Sequence, residues 1–296
     1  MRAADIALTA LAVVIWGTTY LVTTQFLPAG FPLTDSLMRA LPAGLLLLAW
    51  VRELPRGIWI WRVFVLGVLN FSLFWYLLFV GAYRLPGGVA ATVGAIQPLI
   101  VLLVARLVLA TPLRPLAIVA ALGGIVGVAM LLLEPTTALD PVGVAASFGG
   151  AVCMALGTVM TKRWQPPVPA LTFTAWQLTA GGLQLLPFAV LVEWPLPPLT
   201  RANIDGFLWL GIMGAAVSYF LWFRGVARLG AAAVSPLVLL SPVTATILGW
   251  LALGQTLSAA QLAGMALVLA SVWLGQRAQA PRPLPSAAAP AAASAE

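Results

Sequence analysis

The chain has 296 residues, of which 62% are hydrophobic and 8% are charged, and its mean hydropathy is +1.04. Soluble domains are roughly a quarter charged, so this composition excludes a water-soluble globular protein and indicates one embedded in lipid. The net charge of +7 does not indicate a nucleic-acid partner, because the basic residues lie between apolar segments. The chain has no histidine and one cysteine, Cys153, so we expect no metal site, no intramolecular disulfide and no cofactor.

Ten apolar segments, each long enough to cross a bilayer, follow one another and are separated by proline, glycine and charged residues. The predicted helices cover residues 5–23, 34–51, 62–83, 87–108, 115–133, 141–160, 170–192, 205–226, 231–252 and 259–276. The first is expected to be a retained helix rather than a signal peptide, since its apolar run continues through Trp16 and Tyr20 with no clear cleavage site. Residues 278–296 are rich in alanine and proline and are expected to be disordered.

The loops between these helices alternate in charge. One side of the membrane collects most of the basic residues, which are Arg2, Arg52, Arg56, Arg62, Arg106, Arg114, Lys162, Arg163, Arg224, Arg228, Arg277 and Arg282. The other side has only Arg84 and Arg201 near the membrane ends, together with most of the acidic residues. Since basic residues stay on the cytoplasmic side, we predict a multi-pass inner (plasma) membrane protein with both termini in the cytoplasm.

An internal repeat relates the two halves of the chain. The segment from Arg84-Leu85 to Pro98 aligns without a gap with the segment from Arg228-Leu229 to Pro242, at a constant offset (228 − 84 = 144 and 242 − 98 = 144). We place the first repeat at residues 1–136 and the second at 137–277. Because each half has five helices, an odd number, the second half crosses the membrane in the opposite orientation to the first. The predicted fold is therefore an all-α integral membrane protein, with ten transmembrane helices as two inverted five-helix repeats.

Polar and aromatic residues at mid-depth are the candidates for a binding site. Pro98 and Pro242 are predicted near the middle of the fourth and ninth helices, where a proline frees the carbonyl one turn earlier, here of Gly94 and Val238. A simple packing kink is the alternative. The candidate substrate-binding residues are Trp16, Tyr20, Asn70, Phe74, Gln97, Pro98, Ser218, Trp222, Ser241 and Pro242, with Trp176 as a further candidate.

Charged residues give fewer indications. Asp35 and Arg39 are one helical turn apart at the outer end of the second helix. The simpler interpretation is a local ion pair between them. Alternatively, Arg39 controls access at the outer entrance of the transport pathway. No acidic residue lies at the centre of a predicted span, which argues against obligatory proton coupling. We also expect no cation at mid-depth, so that a carboxylate group of a substrate would meet only neutral donors or water.

These motifs resemble those of EamA-type transporters of the drug/metabolite transporter superfamily. The matching features are Trp16-Gly17-Thr18, Arg39, the Arg84-Leu85 to Pro98 and Arg228-Leu229 to Pro242 segments, and the glycines Gly123, Gly124 and Gly127. The resemblance covers residues 5–276 and, in overall character, is nearest to bacterial exporters of amino acids, particularly aromatic ones. Family members often carry a glutamate in a Leu-Gly-Glu segment after the fourth and ninth helices, and Leu109-Ala110-Thr111 and Leu253-Gly254-Gln255 lack it.

The resemblance implies a secondary transporter, not an enzyme, that exports small metabolites by alternating access through a central cavity between the halves. Amino acids, including aromatic ones, are the expected substrates. The expected partners are this small-molecule substrate and the lipid bilayer, without nucleic acid, and a monomer suffices. The alternatives are a membrane-embedded transferase enzyme and a non-transporting membrane subunit. A transferase needs clustered carboxylates, a histidine or a nucleophile at one membrane surface, and the sequence shows none of these.

Overall fold

The computed structural model describes residues 2–85, 90, 93–132, 140–196, 198–254 and 258–279. These residues form ten helices, in agreement with the predicted all-α membrane fold. They are α1 (Arg2–Phe26), α2 (Pro32–Val51), α3 (58–84), α4 (Gln97–Leu109), α5 (Pro115–Leu132), α6 (Pro141–Trp164), α7 (Ala170–Val192), α8 (201–229), α9 (231–253) and α10 (Ala259–Ala278). The tail that we expected to be disordered lies outside the described residues from residue 280 onward.

Eight of the described helices are long and apolar enough to cross a membrane, and α4 and α5 are shorter apolar helices. The described part of α4 has 13 residues, which at 1.5 Å per residue is about 20 Å. The predicted span 87–108 begins earlier, but residues 86–89, 91 and 92 lie outside the described part of the chain. The membrane-spanning nature of the chain therefore follows from the hydropathy and length of its helices.

Two helices contain a π-helical turn at equivalent positions of the repeat. In α3 the turn Val68–Ser72 separates Ile58–Gly67 from Leu73–Arg84. In α8 the turn Ile212–Val217 separates Arg201–Gly211 from Ser218–Leu229, and its start follows the same offset (212 − 68 = 144). A π turn misaligns the hydrogen-bond ladder and leaves backbone groups for other partners, and such turns are frequent at functional sites.

The prediction that Pro98 lies in the middle of a helix is wrong. Pro98 is in the first turn of α4, and residues 95 and 96 form a turn just before it. The first turn tolerates proline because the missing N–H has no intrahelical partner there. In α9 the corresponding break is a 3₁₀ segment, Ser235–Leu239, and Pro242 lies in the first turn of the α-helix Leu240–Leu253 that follows.

The two halves pack against each other through repeat-related helices. The helix α2 packs on α7 and α5 packs on α10, while α1 contacts α8 and α9, and α6 contacts α3 and α4. Small residues allow the closest approaches, as is usual between membrane helices. A Cβ atom on Gly44 would lie 2.5 Å from the backbone nitrogen of Thr179, and one on Gly182 would lie 2.7 Å from the Cα of Leu41. The α2–α7 crossing therefore requires both glycines.

Ion pairs join the halves at both ends of the bundle. Arg84, at the end of α3, lies 3.2 Å from Asp140, which caps the start of α6. Arg228, at the end of α8, lies 3.1 Å from Asp5 in α1. The N–H of Val142, with Arg84, holds the pKa of the Asp140 carboxyl below its usual range. The chain passes through five helices, α4 to α8, between Arg84 and Arg228. Because five crossings is an odd number, the two ion pairs lie at opposite faces of the membrane.

Candidate binding cavity

A cavity of about 150 Å³ lies between the two halves. Its walls come from α1, α2, α3, α4, α6, α8 and α9 and from the residues just before α4. It is lined by Trp16, Thr19, Arg39, Phe74, Trp75, Leu78, Ala90, Gly94, Ala95, Gln97, Ser147, Gly150, Ala151, Met154, Tyr219, Val238, Leu239, Ser241 and Pro242. An engineered protein cavity of about 150 Å³ holds a benzene ring, so this space accommodates a small planar group.

Aromatic rings form much of the wall. Trp16 on α1 lies with its ring centroid 4.8 Å from Tyr219 and 5.1 Å from Trp222, both on α8. Behind this layer, Phe71 lies 4.5 Å from Tyr219 and 5.1 Å from Trp75. Tilted and edge-on contacts of this kind fix each ring against its neighbours. The cavity therefore presents rigid apolar faces on which a ring can stack.

Arg39 lies on the cavity wall, and its position depends on the π turn of α8. The N–H of Ser218 bonds back to the Met213 carbonyl, five residues earlier, so it does not follow the α-helical pattern that would engage Gly214. The Gly214 carbonyl instead accepts a hydrogen bond from Arg39 Nη2, at 2.9 Å. The guanidinium carbon also lies 4.5 Å from the centroid of the Trp75 ring, within reach of a cation–π contact. Arg39 is 3% exposed.

This position corrects one expectation from the sequence, that the cavity would hold no cation. The simpler interpretation of the sequence was a local pair between Arg39 and Asp35. In the structure, Asp35 accepts a hydrogen bond from the Tyr83 hydroxyl, at 3.2 Å. Arg39 reaches the cavity from α2, where a buried arginine in an apolar helix is itself a signal of function. Of the described residues that line the cavity, Arg39 is the charged one.

Neutral polar groups complete the wall. The Gln97 amide nitrogen and the hydroxyls of Thr19 and Ser147 are buried and have no hydrogen-bond partner among the described residues. Unpaired polar groups are costly inside a membrane protein, because lipid offers no replacement for water. Their presence on a cavity wall indicates that a bound solute or water satisfies them.

The structure brings five of the predicted site residues together on this wall, namely Trp16, Phe74, Gln97, Ser241 and Pro242. Ser218 and Trp222 lie directly behind it. The indole N–H of Trp16 donates to the Ser218 hydroxyl at 2.9 Å, so Ser218 fixes the ring that faces the cavity. Pro98 is buried beside Gln97, and the side chain of Tyr20 lies outside the described residues.

Asn70 and Trp176 are not among the residues that line the cavity. Asn70, in the π turn of α3, donates through Nδ2 to Gln177 Oε1 of α7 at 2.8 Å. Trp176 donates through its indole N–H to the Glu53 carbonyl beyond the end of α2. Asn70 therefore joins the two halves beside the cavity, and Trp176 anchors a loop.

Sequence reasoning missed several lining residues, including Ser147, Gly150, Trp75 and Tyr219. Trp75 and Tyr219 carried a signal, because they belong to the aromatic-rich runs of α3 and α8. Ser147 and Gly150 carried none, since small residues are frequent along the whole of α6. Their role depends on which face of α6 meets α3, and only the packing shows this.

Residues 4–133 and 141–275 each match the EamA-like transporter family. The chain belongs to this family. The two matched segments cover α1–α5 and α6–α10, so the family repeat coincides with the two structural halves. The resemblance to EamA-type transporters is confirmed, and the chain is a multi-pass membrane transporter of the drug/metabolite transporter superfamily.

Relatives of the family support this over nearly the whole chain. The protein PecM of Dickeya dadantii is 47% identical over 265 residues, which cover 88% of this chain and 89% of PecM. The chloroplastic WAT1-related protein At3g02690 of Arabidopsis thaliana is 31% identical, over 88% of this chain and 66% of that protein. A solved crystal structure superposes with a TM-score of 0.81 at 22% identity, covering 94% of this chain and 98% of its own, and shows the same fold.

Proposed function

We propose that this transporter exports small metabolites, above all amino acids and particularly aromatic ones, by alternating access through the cavity. The observation that carries the proposal is the cavity itself, which lies between the halves and combines stacking faces with unpaired polar groups. In transporters built from inverted repeats, the substrate site lies where the repeats meet. The aromatic wall matches a ring by burial and stacking, and the polar groups match the backbone end of an amino acid.

We propose further that transport follows the substrate gradient without obligatory proton coupling. A proton relay in a membrane transporter is usually built from acidic or histidine side chains inside the bundle. The described lining residues include neither type, and the chain has no histidine at all. A single chain supplies both halves of the cavity, so the proposed mechanism needs only a monomer.

Transport by the purified protein tests this proposal. Proteoliposomes loaded with labelled phenylalanine are expected to release it into an empty outer solution, and a pH gradient is expected to change the initial rate little. Gln97→Leu removes the unpaired amide from the wall and is expected to lower the rate at least ~tenfold. The exposed Trp194, at the end of α7, offers the matched control Trp194→Leu, which is expected to transport normally. Export that depends strictly on a proton gradient contradicts the mechanism.

The orientation is also part of the proposal. We place both termini in the cytoplasm of a cell with this protein in its inner (plasma) membrane, because the basic loops lie on that side. The cavity is lined by residues in the outer halves of α3 and α6 and by residues in the inner halves of α8 and α9, which places it near mid-depth.

A reporter enzyme fused after Glu296 checks the orientation. A reporter that functions only in the cytoplasm is expected to be active, and one that functions only after export is expected to be inactive. A second fusion, in the loop between α7 and α8 after Leu199, should give the reversed pattern because three helices, an odd number, separate this position from the C-terminus. The same activity at both positions contradicts the proposed topology.

A further inference from the structure

We propose that Arg39 binds a carboxylate group, so that the cavity selects aromatic solutes with a net negative charge. Aromatic carboxylates whose nitrogen is acylated or absent are expected to be preferred over zwitterionic amino acids, and amines are expected to be rejected. The proposal rests on the proposed function, since it names the charge class of the solute that the same cavity accepts.

The charges around the cavity are one-sided. Arg39 is the charged member of the described lining. Asp35 is the nearest acid along α2, but it is not part of the lining, and its Oδ2 accepts from the Tyr83 hydroxyl. A carboxylate in the cavity therefore meets a cation, whereas an ammonium group meets no anion on the described wall.

The position of Arg39 suits a carboxylate. Guanidinium groups present a rigid planar fork of donors that matches the two oxygens of a carboxylate. Two contacts fix this plane, because Nη2 donates to the Gly214 carbonyl and the Trp75 ring lies against the guanidinium. The guanidinium is thereby positioned from both halves of the protein, by α3 and by α8, at the place where they meet.

The neutral polar groups provide further donors for a carboxylate. The amide nitrogen of Gln97 is a donor without a partner among the described residues, and the hydroxyl of Ser147 can donate as well. A carboxylate can accept hydrogen bonds from both, whereas an ammonium group can use the Ser147 hydroxyl only as an acceptor. The aromatic faces of Trp16 and Phe74 then contact the ring of the solute. Charge, donors and stacking faces together define an aromatic carboxylate.

A competition experiment on the unmodified protein tests the charge preference. Release of labelled phenylalanine from proteoliposomes is measured with N-acetylphenylalanine, phenylalanine or phenethylamine, which carry net charges of −1, 0 and +1, as competitors on the same side. N-acetylphenylalanine is expected to compete at a concentration about tenfold lower than phenylalanine, and phenethylamine is expected to compete weakly or not at all. Equal competition by the amine contradicts the inference.

Variants of Arg39 assign the preference to this side chain. Arg39→Gln is expected to remove the advantage of N-acetylphenylalanine over phenethylamine, and Arg39→Lys, which keeps the charge but not the fork, is expected to retain part of it. A purely structural role would instead lower the release of labelled phenylalanine and leave the order of the three competitors unchanged, and that result overturns the inference. If the unmodified protein does not release phenylalanine, the proposed function itself fails, whereas release with equal competition by all three compounds contradicts only the charge preference.

Discussion

Gly150→Leu is expected to abolish transport while the protein still folds. Gly150 lies on the face of α6 that lines the cavity. A Cβ atom at this position would lie 3.7 Å from the Phe74 ring and 3.8 Å from the Cβ of Leu77, which are ordinary contact distances. The backbone therefore tolerates a side chain, and the rest of the leucine extends into a space of about 150 Å³. We expect the initial rate of transport to fall at least ~tenfold, because the leucine side chain fills the space that the solute would occupy.

The adjacent glycine provides the matched control. Gly149 lies outside the lining, and a Cβ atom there would approach only the mobile end of Leu77, at 3.2 Å. Gly149→Leu adds the same side chain to the same helix and is expected to keep most of the activity. Release rates at equal reconstituted amounts and thermal unfolding midpoints are the measurements. Normal transport by Gly150→Leu, with a normal unfolding midpoint, contradicts the placement of the solute in this cavity.

The architecture was predictable because it depends on features that the sequence shows locally. Apolar runs of membrane-spanning length give the helices, and the equal spacing of Arg84-Leu85 and Arg228-Leu229 to the prolines gives the repeat. The ends of the helices were less well predicted. The helix α3 begins at Ile58 rather than at residue 62, because the interfacial residues Trp59 and Trp61 continue the helix.

The backbone details were not predictable in the same way. A proline in the first turn and a proline in the interior of a helix look alike in an apolar run, so the position of Pro98 depends on the turn before it. Neither π turn has a sequence signal, although Asn70 lies within one of them. These turns decide which carbonyl groups remain for partners, as the contact between Arg39 and Gly214 shows.

The repeat predicted part of the candidate site, since Gln97 and Ser241, each next to a repeat-related proline, both line the cavity. Hydrogen-bond partners that are distant in the sequence were not predictable. The bond of Asn70 to Gln177 joins residues 107 positions apart, and nothing in either segment indicates it. The four-residue spacing of Asp35 and Arg39 favoured a local pair. The sequence does not show that α8 provides a carbonyl acceptor beside Arg39, so the position of Arg39 on the cavity wall was not predicted.

The central claim is that one cavity opens in turn to the two faces of the membrane, and thiol labelling of a cavity residue tests it most directly. Cys153, the one cysteine of the chain, is buried in α6, so Cys153→Ala gives a background without thiols. Ser241→Cys then places a thiol on the cavity wall. Ser271→Cys, on the buried face of α10 near Gly123 of α5, places a control thiol away from it.

Membrane-impermeant thiol reagents are applied separately to right-side-out and inside-out vesicles. If access alternates, Cys at position 241 reacts from both faces, saturating phenylalanine changes the rate of labelling on each face, and Cys at position 271 reacts from neither. Labelling of position 241 from one face only, at a rate that substrate leaves unchanged, or no labelling from either face, contradicts the account.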